Sequence, residues 1–201
     1  MTGFDRLHQR YPHPAERPGL YRNVHGWRLH TDHMLTHIPD TECVAVEIGS
    51  WTGKTTLSLL RHRPRLRMVC IDTWKGGPEH QPGRSHWQPF LPQLYEQFIR
   101  NTWDNRHRVV AVRETSADGI SAACEAGIAP VLAYIDGAHD SQTVYADVSV
   151  SLVAWPTAHI CGDDWGNAHV ERGVERAAEE CGGVKIVTHG MYWEFEKRGD
   201  A

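Results

Sequence analysis

The sequence predicts an α/β domain with a seven-stranded, mostly parallel sheet, helices on both faces and a C-terminal antiparallel hairpin. Three observations predict it. Short apolar runs alternate with helix-compatible segments, each run ends in a polar or glycine-containing loop, and two adjacent β-rich runs close the chain. Continuous apolar strands indicate a sheet covered on both faces. Strands alternating with helices indicate βαβ units with right-handed crossovers.

The elements follow one another in a regular order. The first four strands are expected at CVAVEI (43–48), LRMVCI (66–71), RVVAV (108–112) and VLAYI (131–135). Helix-compatible segments separate them at 53–62, about 90–103 and 116–127. A helix over 141–154, the strand AHICG (158–162) and a helix over 168–181 come next. The final stretch, VKIVTHGMYWEFEK, predicts a hairpin that turns at His189-Gly190.

Two segments outside this alternation are expected to determine which ligand the protein recognises. Residues 1–40 precede the first strand, and we expect them to form a helical cap over the binding site of the main domain, residues 41–201. Residues 75–92 are dense in glycine and proline and lack periodicity, which predicts a loop. A loop of this length inside a compact domain is often a lid or a binding element.

Composition limits the classes of partner. The net charge of -4 provides no global attraction to nucleic acid, so a small molecule is the expected partner, and a homo-oligomer is compatible with the composition. No apolar run approaches the roughly 20 residues that span a bilayer. The N-terminus lacks the apolar stretch of a secretory signal, which predicts a cytoplasmic location. His30, His33 and His37 share one helical face by spacing, which we interpret as a solvated or partly buried face rather than a metal site.

The first motif that carries chemistry is VAVEIGSWTGKTT, where a strand runs through a glycine-bearing turn into a helix. Such a turn lets the backbone approach a ligand closely. A P-loop would need GxxxxGK[ST], but the position five before Gly53 is Ile48, so the loop is one residue short. The alternative is the spacing E-x-G-x-x-x-G of class I methyltransferase loops, which Glu47, Gly49 and Gly53 match.

A second acidic residue supports a nucleoside-type ligand. Asp72 ends the second strand, where its carboxylate can accept hydrogen bonds from both ribose hydroxyls. The alternative is that Asp72 is only a turn residue. Together with Glu47, it favours a ligand that carries an unphosphorylated ribose.

Three further carboxylates follow the fourth and fifth strands. Asp136 ends the fourth strand and Asp163-Asp164 follow the fifth, so these side chains should meet at one edge of the sheet. A magnesium ion or a similar divalent cation, bound through oxygen, would stabilise them. Local hydrogen bonds within the loops are the alternative. We assign Asp136 to both the cofactor site and the metal site.

His139 is the candidate general base. It lies in the loop that follows the fourth strand, and an imidazole with an unperturbed pKa of about 6.5 suits proton transfer near neutral pH. A structural histidine that closes this loop is the competing interpretation.

The ordered set EIGSWTG, IDTWKGG, IDGAHD, GDDW and ERGVERAAEE resembles the macrocin-type O-methyltransferase family and related class I S-adenosylmethionine-dependent methyltransferases, over roughly residues 43–197. The resemblance implies a Rossmann-like fold. It also implies that the first loop holds the methionine part of the cofactor, Asp72 the ribose and Ser116 the adenine. Asp136, Asp163 and Asp164 match the magnesium ligands of the macrocin-type members.

One departure limits the resemblance. Macrocin-type enzymes read DGD after the fourth strand, and the second aspartate is their proposed base, whereas this chain has Ala138 there. His139 matches the DGxH pattern of other relatives, so sugar specificity is not carried over.

The expected activity is methyl transfer from S-adenosylmethionine to a hydroxyl of a small molecule, such as a natural product or a sugar-like acceptor. Two alternatives stay open from the sequence. They are a P-loop-like nucleotide-binding enzyme and a non-catalytic module that binds S-adenosylmethionine.

Overall fold

A computed structural model of the chain describes residues 1–25, 30–77, 80, 83, 87–181 and 184–196. Its seven strands form one sheet in the order β3-β2-β1-β4-β5-β7-β6. Strands β1 to β5 are parallel, whereas β7 runs antiparallel to both β5 and β6. The strands are β1 (Cys43–Ile48), β2 (Leu66–Ile71), β3 (Val109–Val112), β4 (Leu132–Ile135), β5 (His159–Gly162), β6 (Ile186–His189) and β7 (Tyr192–Phe195).

Helices cover both faces of the sheet. They are α1 (Gly3–Arg10), α2 (Thr31–His37), α3 (Lys54–His62), α4 (Leu94–Thr102), α5 (Ser116–Glu125), α6 (Ser141–Ala154) and α7 (Ala168–Glu180). Short 3₁₀ segments at Gln88–Gln93 and Trp103–Arg108 flank α4. The predicted fold class is confirmed, because each expected strand and the closing hairpin form where the apolar runs stand.

The sheet separates two apolar clusters because strand residues alternate between its faces. In β1, Val46 and Ile48 join the cluster that includes α5, α6 and α7, whereas Ala45 joins the cluster beneath α2, α3 and α4. Among the described residues, no helix is long and apolar enough to cross a membrane.

The N-terminal residues contribute two helices. Helix α1 begins with a capping box between Thr2 and Asp5, and it buries Phe4 and Leu7 in the cluster shared with α5 and α6. Helix α2 lies on the opposite face, where it contacts α3 and buries Met34. The expected division of the chain at residue 40 stays a prediction.

The expected loop at 75–92 is only partly described. Gly76 has a positive φ of 72° and Trp87 begins a turn that leads into the first 3₁₀ segment. Residues 78–79, 81–82 and 84–86, seven positions of the expected lid, lie outside the described residues.

The strand order determines where a ligand can bind. Strand β1 lies between β2 and β4, so the connections from β1 and β4 leave in opposite directions along the sheet. In open α/β sheets this switch point opens a crevice beyond the carboxyl ends of the strands. The acidic residues that follow or end the strands lie at that edge, namely Glu47, Asp72, Asp136, Asp163 and Asp164.

Candidate active site

A cavity of about 650 Å³ opens at the carboxyl ends of β1 to β5. Eight of the nine residues predicted for the site line it. They are Glu47, Gly49, Asp72, Ser116, Asp136, His139, Asp163 and Asp164. The ninth, Gly53, is not among the described lining residues. The topology therefore brings together residues from five separate segments of the chain.

The glycines in the turn after β1 allow a backbone conformation and a close backbone approach that other residues would disfavour. Gly49 has φ of +87°, and a Cβ built on it would lie 2.1 Å from the carbonyl oxygen of Asp136 and 2.5 Å from the Cα of Gly137. Gly53 has φ of +84° and precedes the first residue of α3. A Cβ at Gly49 would therefore collide with the loop after β4, so this glycine allows the two cavity loops to touch.

Glu47 is a buried carboxyl group at the end of β1, 2% exposed. The hydroxyl of Thr56 in α3 donates a hydrogen bond to its Oε2 atom. Burial raises the pKa of Glu47 to about 7, although hydrogen bonds from Thr56 and Ser50 oppose the shift. The side chain therefore changes charge near neutral pH.

Asp72 is held by backbone N–H groups. The Trp51 amide donates to its Oδ2 atom at 2.8 Å, and the Trp74 amide donates to its Oδ1 atom at 2.7 Å. Burial raises the pKa of this carboxyl, and the two amides counteract the effect. Because each carboxylate oxygen can accept more than one hydrogen bond, Asp72 keeps capacity for ligand hydroxyls.

Ser116 lies at the first turn of α5 and donates a hydrogen bond to Asp147 of α6. Asp147 lines the cavity, is 5% exposed, and has its pKa raised to about 6, chiefly by burial. Sequence reasoning missed this residue. The signal was a carboxyl among the buried positions of α6, one turn from Val144 and Ser151.

His139, Asp136 and Asp164 converge in the wall of the cavity. The Nε2 atom of His139 lies 2.7 Å from Oδ2 of Asp164. One ligand atom from each of the three residues lies within 4.8 Å of the others. Burial, followed by repulsion from Asp163 and Asp164, raises the pKa of Asp136 well above its ordinary value. These three side chains form a donor group that could hold a cation.

Asp163 turns away from that group. Its carboxylate is 8% exposed and accepts a hydrogen bond from His30 Nε2 at 3.0 Å and one from the backbone amide of Asp164 at 2.7 Å. The Tyr134 hydroxyl lies 3.4 Å from its other oxygen. The predicted set of Asp136, Asp163 and Asp164 thus differs from the group in the structure, where His139 stands in place of Asp163. Nothing in the sequence near His30 indicated its contact with Asp163.

An open α/β sheet with an acidic, glycine-bearing cavity at its switch point defines a protein that binds a nucleoside-type cofactor. Residues 46–165, more than half of the chain, match the family described as methyltransferase domain. The chain therefore belongs to this family and is an S-adenosylmethionine-dependent methyltransferase. No curated protein matches the chain in sequence.

Several solved structures share the fold. The TDP-rhamnose 3'-O-methyltransferase CalS11 of calicheamicin biosynthesis aligns with a TM-score of 0.57 and 16% identity, over 85% of this chain and 78% of that one. The cofactor-bound protein Rv0187 from MTB aligns with 0.59 and 18%, over 89% and 82%. The O-methyltransferase TomG from Streptomyces achromogenes, in complex with S-adenosylmethionine, aligns with 0.55 and 18%, over 81% and 74%. At these identities the likeness shows the fold alone.

Proposed function

We propose that this chain transfers the methyl group of S-adenosylmethionine to a hydroxyl of a small molecule, with a natural-product or sugar-like acceptor. The observation that carries the proposal is the pair His139–Asp164, which joins an imidazole to a carboxylate at 2.7 Å beside the cofactor cavity. A hydroxyl is a weak nucleophile until its proton is removed, so such a pair suits its methylation. The O-methyltransferases CalS11 and TomG have the same fold.

The acidic lining supports the cofactor assignment. S-adenosylmethionine carries a sulfonium and an ammonium group, and carboxylates in a cavity with limited access to water attract both. We assign the methionine part to the loop that contains Glu47 and Gly49, the ribose to Asp72, and the adenine to the side that contains Ser116. Gly53 contributes through the backbone turn that it forms before α3. We place Asp136 next to the region of methyl transfer.

In the proposed reaction the acceptor oxygen attacks the methyl carbon, the carbon–sulfur bond breaks, and sulfur keeps the electron pair. The acceptor proton passes to His139. Because Nε2 of this ring donates to Asp164, the tautomer leaves Nδ1 as the accepting nitrogen. The carboxylate of Asp164 then stabilises the imidazolium that forms, as an aspartate does in other acid–base pairs.

The donor group also fits a divalent cation. Asp136 and Asp164 offer the carboxylate oxygens that magnesium prefers, and their close approach is a source of repulsion that a cation relieves. When bound, such an ion would hold the acceptor oxygen and lower the pKa of its proton. Asp163 would then position the loop through its bonds to His30 and to the Asp164 amide, without being a ligand.

The test is a panel of hydroxyl-bearing and amine-bearing acceptors, with release of S-adenosylhomocysteine as the readout. We expect turnover with hydroxyl acceptors and a large loss of turnover in His139→Gln, with S-adenosylmethionine affinity preserved by calorimetry. Turnover with amines alone would reject the hydroxyl assignment. Cofactor binding without turnover in any class would favour the non-catalytic alternative, and tight ATP binding without a response to S-adenosylmethionine would favour the P-loop alternative.

Three expectations from the sequence stay predictions. They are a cytoplasmic location, the absence of a nucleic-acid partner, and the compatibility of the chain with a homo-oligomer.

A further inference from the structure

Asp147 is a buried carboxyl group in the cofactor cavity to which the proposed reaction gives no role. It lies in the second turn of α6, is 5% exposed, and lines the cavity. The Ser116 hydroxyl donates a hydrogen bond to its Oδ1 atom, and among the described residues no second donor reaches the carboxylate. Because burial removes most of the water around a carboxylate, an oxygen without a donor is costly, and a ligand could supply the missing donor.

The second oxygen of Asp147, Oδ2, faces the loop that follows β4. It lies 3.9 Å from the position that a Cβ on Gly137 would take. Gly137 lines the cavity and has no side chain to cover this oxygen. Ser116, which holds the first oxygen, belongs to the first turn of α5, after β3. Asp147 therefore lies between the loops that follow β3 and β4, with its carboxylate oriented by the hydrogen bond from Ser116.

The parts of the cofactor that are already assigned leave this wall of the cavity to the adenine. The proposed site holds the ribose at Asp72 and the methionine part at the loop that contains Glu47 and Gly49. Adenine and the methionine part are attached to opposite sides of the ribose ring, so the base extends away from the loop after β1. Since β2 lies between β1 and β3, that direction leads to residues 114–116, which line the cavity and include the partner of Asp147.

The chemistry of this wall matches the edge of an adenine base. Its 6-amino group donates hydrogen bonds and accepts poorly, because its lone pair is delocalised into the ring, whereas an ionised carboxylate only accepts them. A hydrogen bond to a charged acceptor is also stronger than one between neutral groups. Elsewhere in the unassigned lining the ionisable side chains are His25, Lys54 and His80. These nitrogen groups suit the carboxylate of the cofactor rather than its amino group on the base.

We propose that Oδ2 of Asp147 accepts a hydrogen bond from the 6-amino group of the cofactor's adenine, so that Asp147 selects adenine among purine bases. This inference rests on the proposed function and deepens its cofactor site. Ser116 is a positioning residue in this arrangement, because its hydroxyl holds Oδ1 and leaves Oδ2 to the ligand. A base with a carbonyl group in place of the amino group would set one oxygen against another, and a base without either would leave the carboxylate unpaired.

The test compares S-adenosylhomocysteine with the analogue in which hydrogen replaces the 6-amino group, and it measures both Kd values by calorimetry on the full chain. Burial raises the pKa of Asp147 to about 6, so the carboxylate is ionised at a working pH of about 8. We expect the wild type to bind S-adenosylhomocysteine about 10- to 150-fold more tightly than the analogue. Asp147→Ala should reduce this ratio to about threefold or less.

Two further variants separate recognition from stability. Asp147→Asn has nearly the same volume and keeps an acceptor oxygen without the charge, so it should fold and give an intermediate ratio, because neutral hydrogen bonds are weaker. Asp140→Ala is the matched control on the same helix. The Asp140 side chain caps α6 by accepting from the Thr143 amide at 3.0 Å, and it is not among the described lining residues. This variant should lower the melting temperature and keep the full ratio.

The possible failures are distinguishable. Equal affinity of the wild type for the two ligands would overturn the inference and leave the proposed function intact. An equal loss of both affinities in Asp147→Ala, with the ratio unchanged, would also overturn it and leave the Ser116–Asp147 bond as a link between α5 and α6. No binding of S-adenosylhomocysteine by the wild type would defeat the proposed function and, with it, this inference.

Discussion

The contact between the two cavity loops at Gly49 can be tested by adding a single methyl group. In Gly49→Ala the new Cβ would lie 2.1 Å from the Asp136 carbonyl oxygen and 2.5 Å from the Gly137 Cα, and both neighbours are backbone atoms. The positive φ adds about 1–2 kcal/mol for a residue with a Cβ. Separating the loops adds about 1–3 kcal/mol, as overpacking does elsewhere. We therefore expect a loss of about 2–5 kcal/mol in the free energy of unfolding.

The matched control is Gly190→Ala. Gly190 also has a positive φ, +69°, but a Cβ there would meet nothing within 4 Å, so only the backbone strain applies. In thermal unfolding, Gly49→Ala should melt about 4–20 °C below the wild type, and the control about 2–8 °C below it. Gly49→Ala should also weaken S-adenosylmethionine binding, because Asp136 lines the cavity. Equal losses of stability in the two variants would refute the proposed role of the loop contact.

The remaining predictions concern the carboxylates and the base. Asp72→Asn should raise the Kd for S-adenosylmethionine about 5- to 150-fold in calorimetry through lost ribose hydrogen bonds, and an unchanged Kd would place the ribose elsewhere. Burial raises the pKa of Glu47 from 4.5 to about 7. The unfolded chain therefore ionises first, and the fold loses about 3 kcal/mol as pH rises through this window. Glu47→Gln should remove that loss in unfolding curves measured between pH 4.5 and 7.5, and parallel curves would contradict it. EDTA and Asp164→Asn should abolish turnover while sparing cofactor binding, whereas full activity in excess EDTA would eliminate the metal. His139→Ala should lower turnover and should also weaken metal binding, because its imidazole belongs to the donor group with Asp136 and Asp164.

The sheet and the position of the site could be predicted because the signals are local. The apolar run that contains Glu47 ends at Ile48, directly before a glycine, and the run that ends at Ile135 is followed by Asp136 and a glycine. Such runs form buried parallel strands. Once the strands alternate with helices, their carboxyl ends must share one edge. The convergence of Glu47, Asp72 and Asp136 on one cavity therefore follows from the order of motifs along the chain.

Side-chain partners that come from distant parts of the chain could not be predicted in the same way. Asp163 and Asp164 are neighbours in sequence, yet one faces His30 and the other His139, because Asp164 adopts a positive φ of 62° and the chain turns between them. Asp147 enters the cavity only because α6 packs its buried face against the sheet.

The histidines of α2 show the same contrast between what the sequence predicts and what only the tertiary structure decides. Their spacing predicted one shared face, and the structure has that face on the hairpin. Helical spacing says which residues stand together on their own element, but it carries no information on the partner, since His37 meets His159 and Glu194 from strands more than 120 residues away. The amino-acid sequence alone determined the strands, their succession along the chain and the acidic edge, because those depend on local hydrophobic pattern. Only the tertiary structure decided which carboxylate meets which histidine, because that depends on packing between elements that no local pattern encodes.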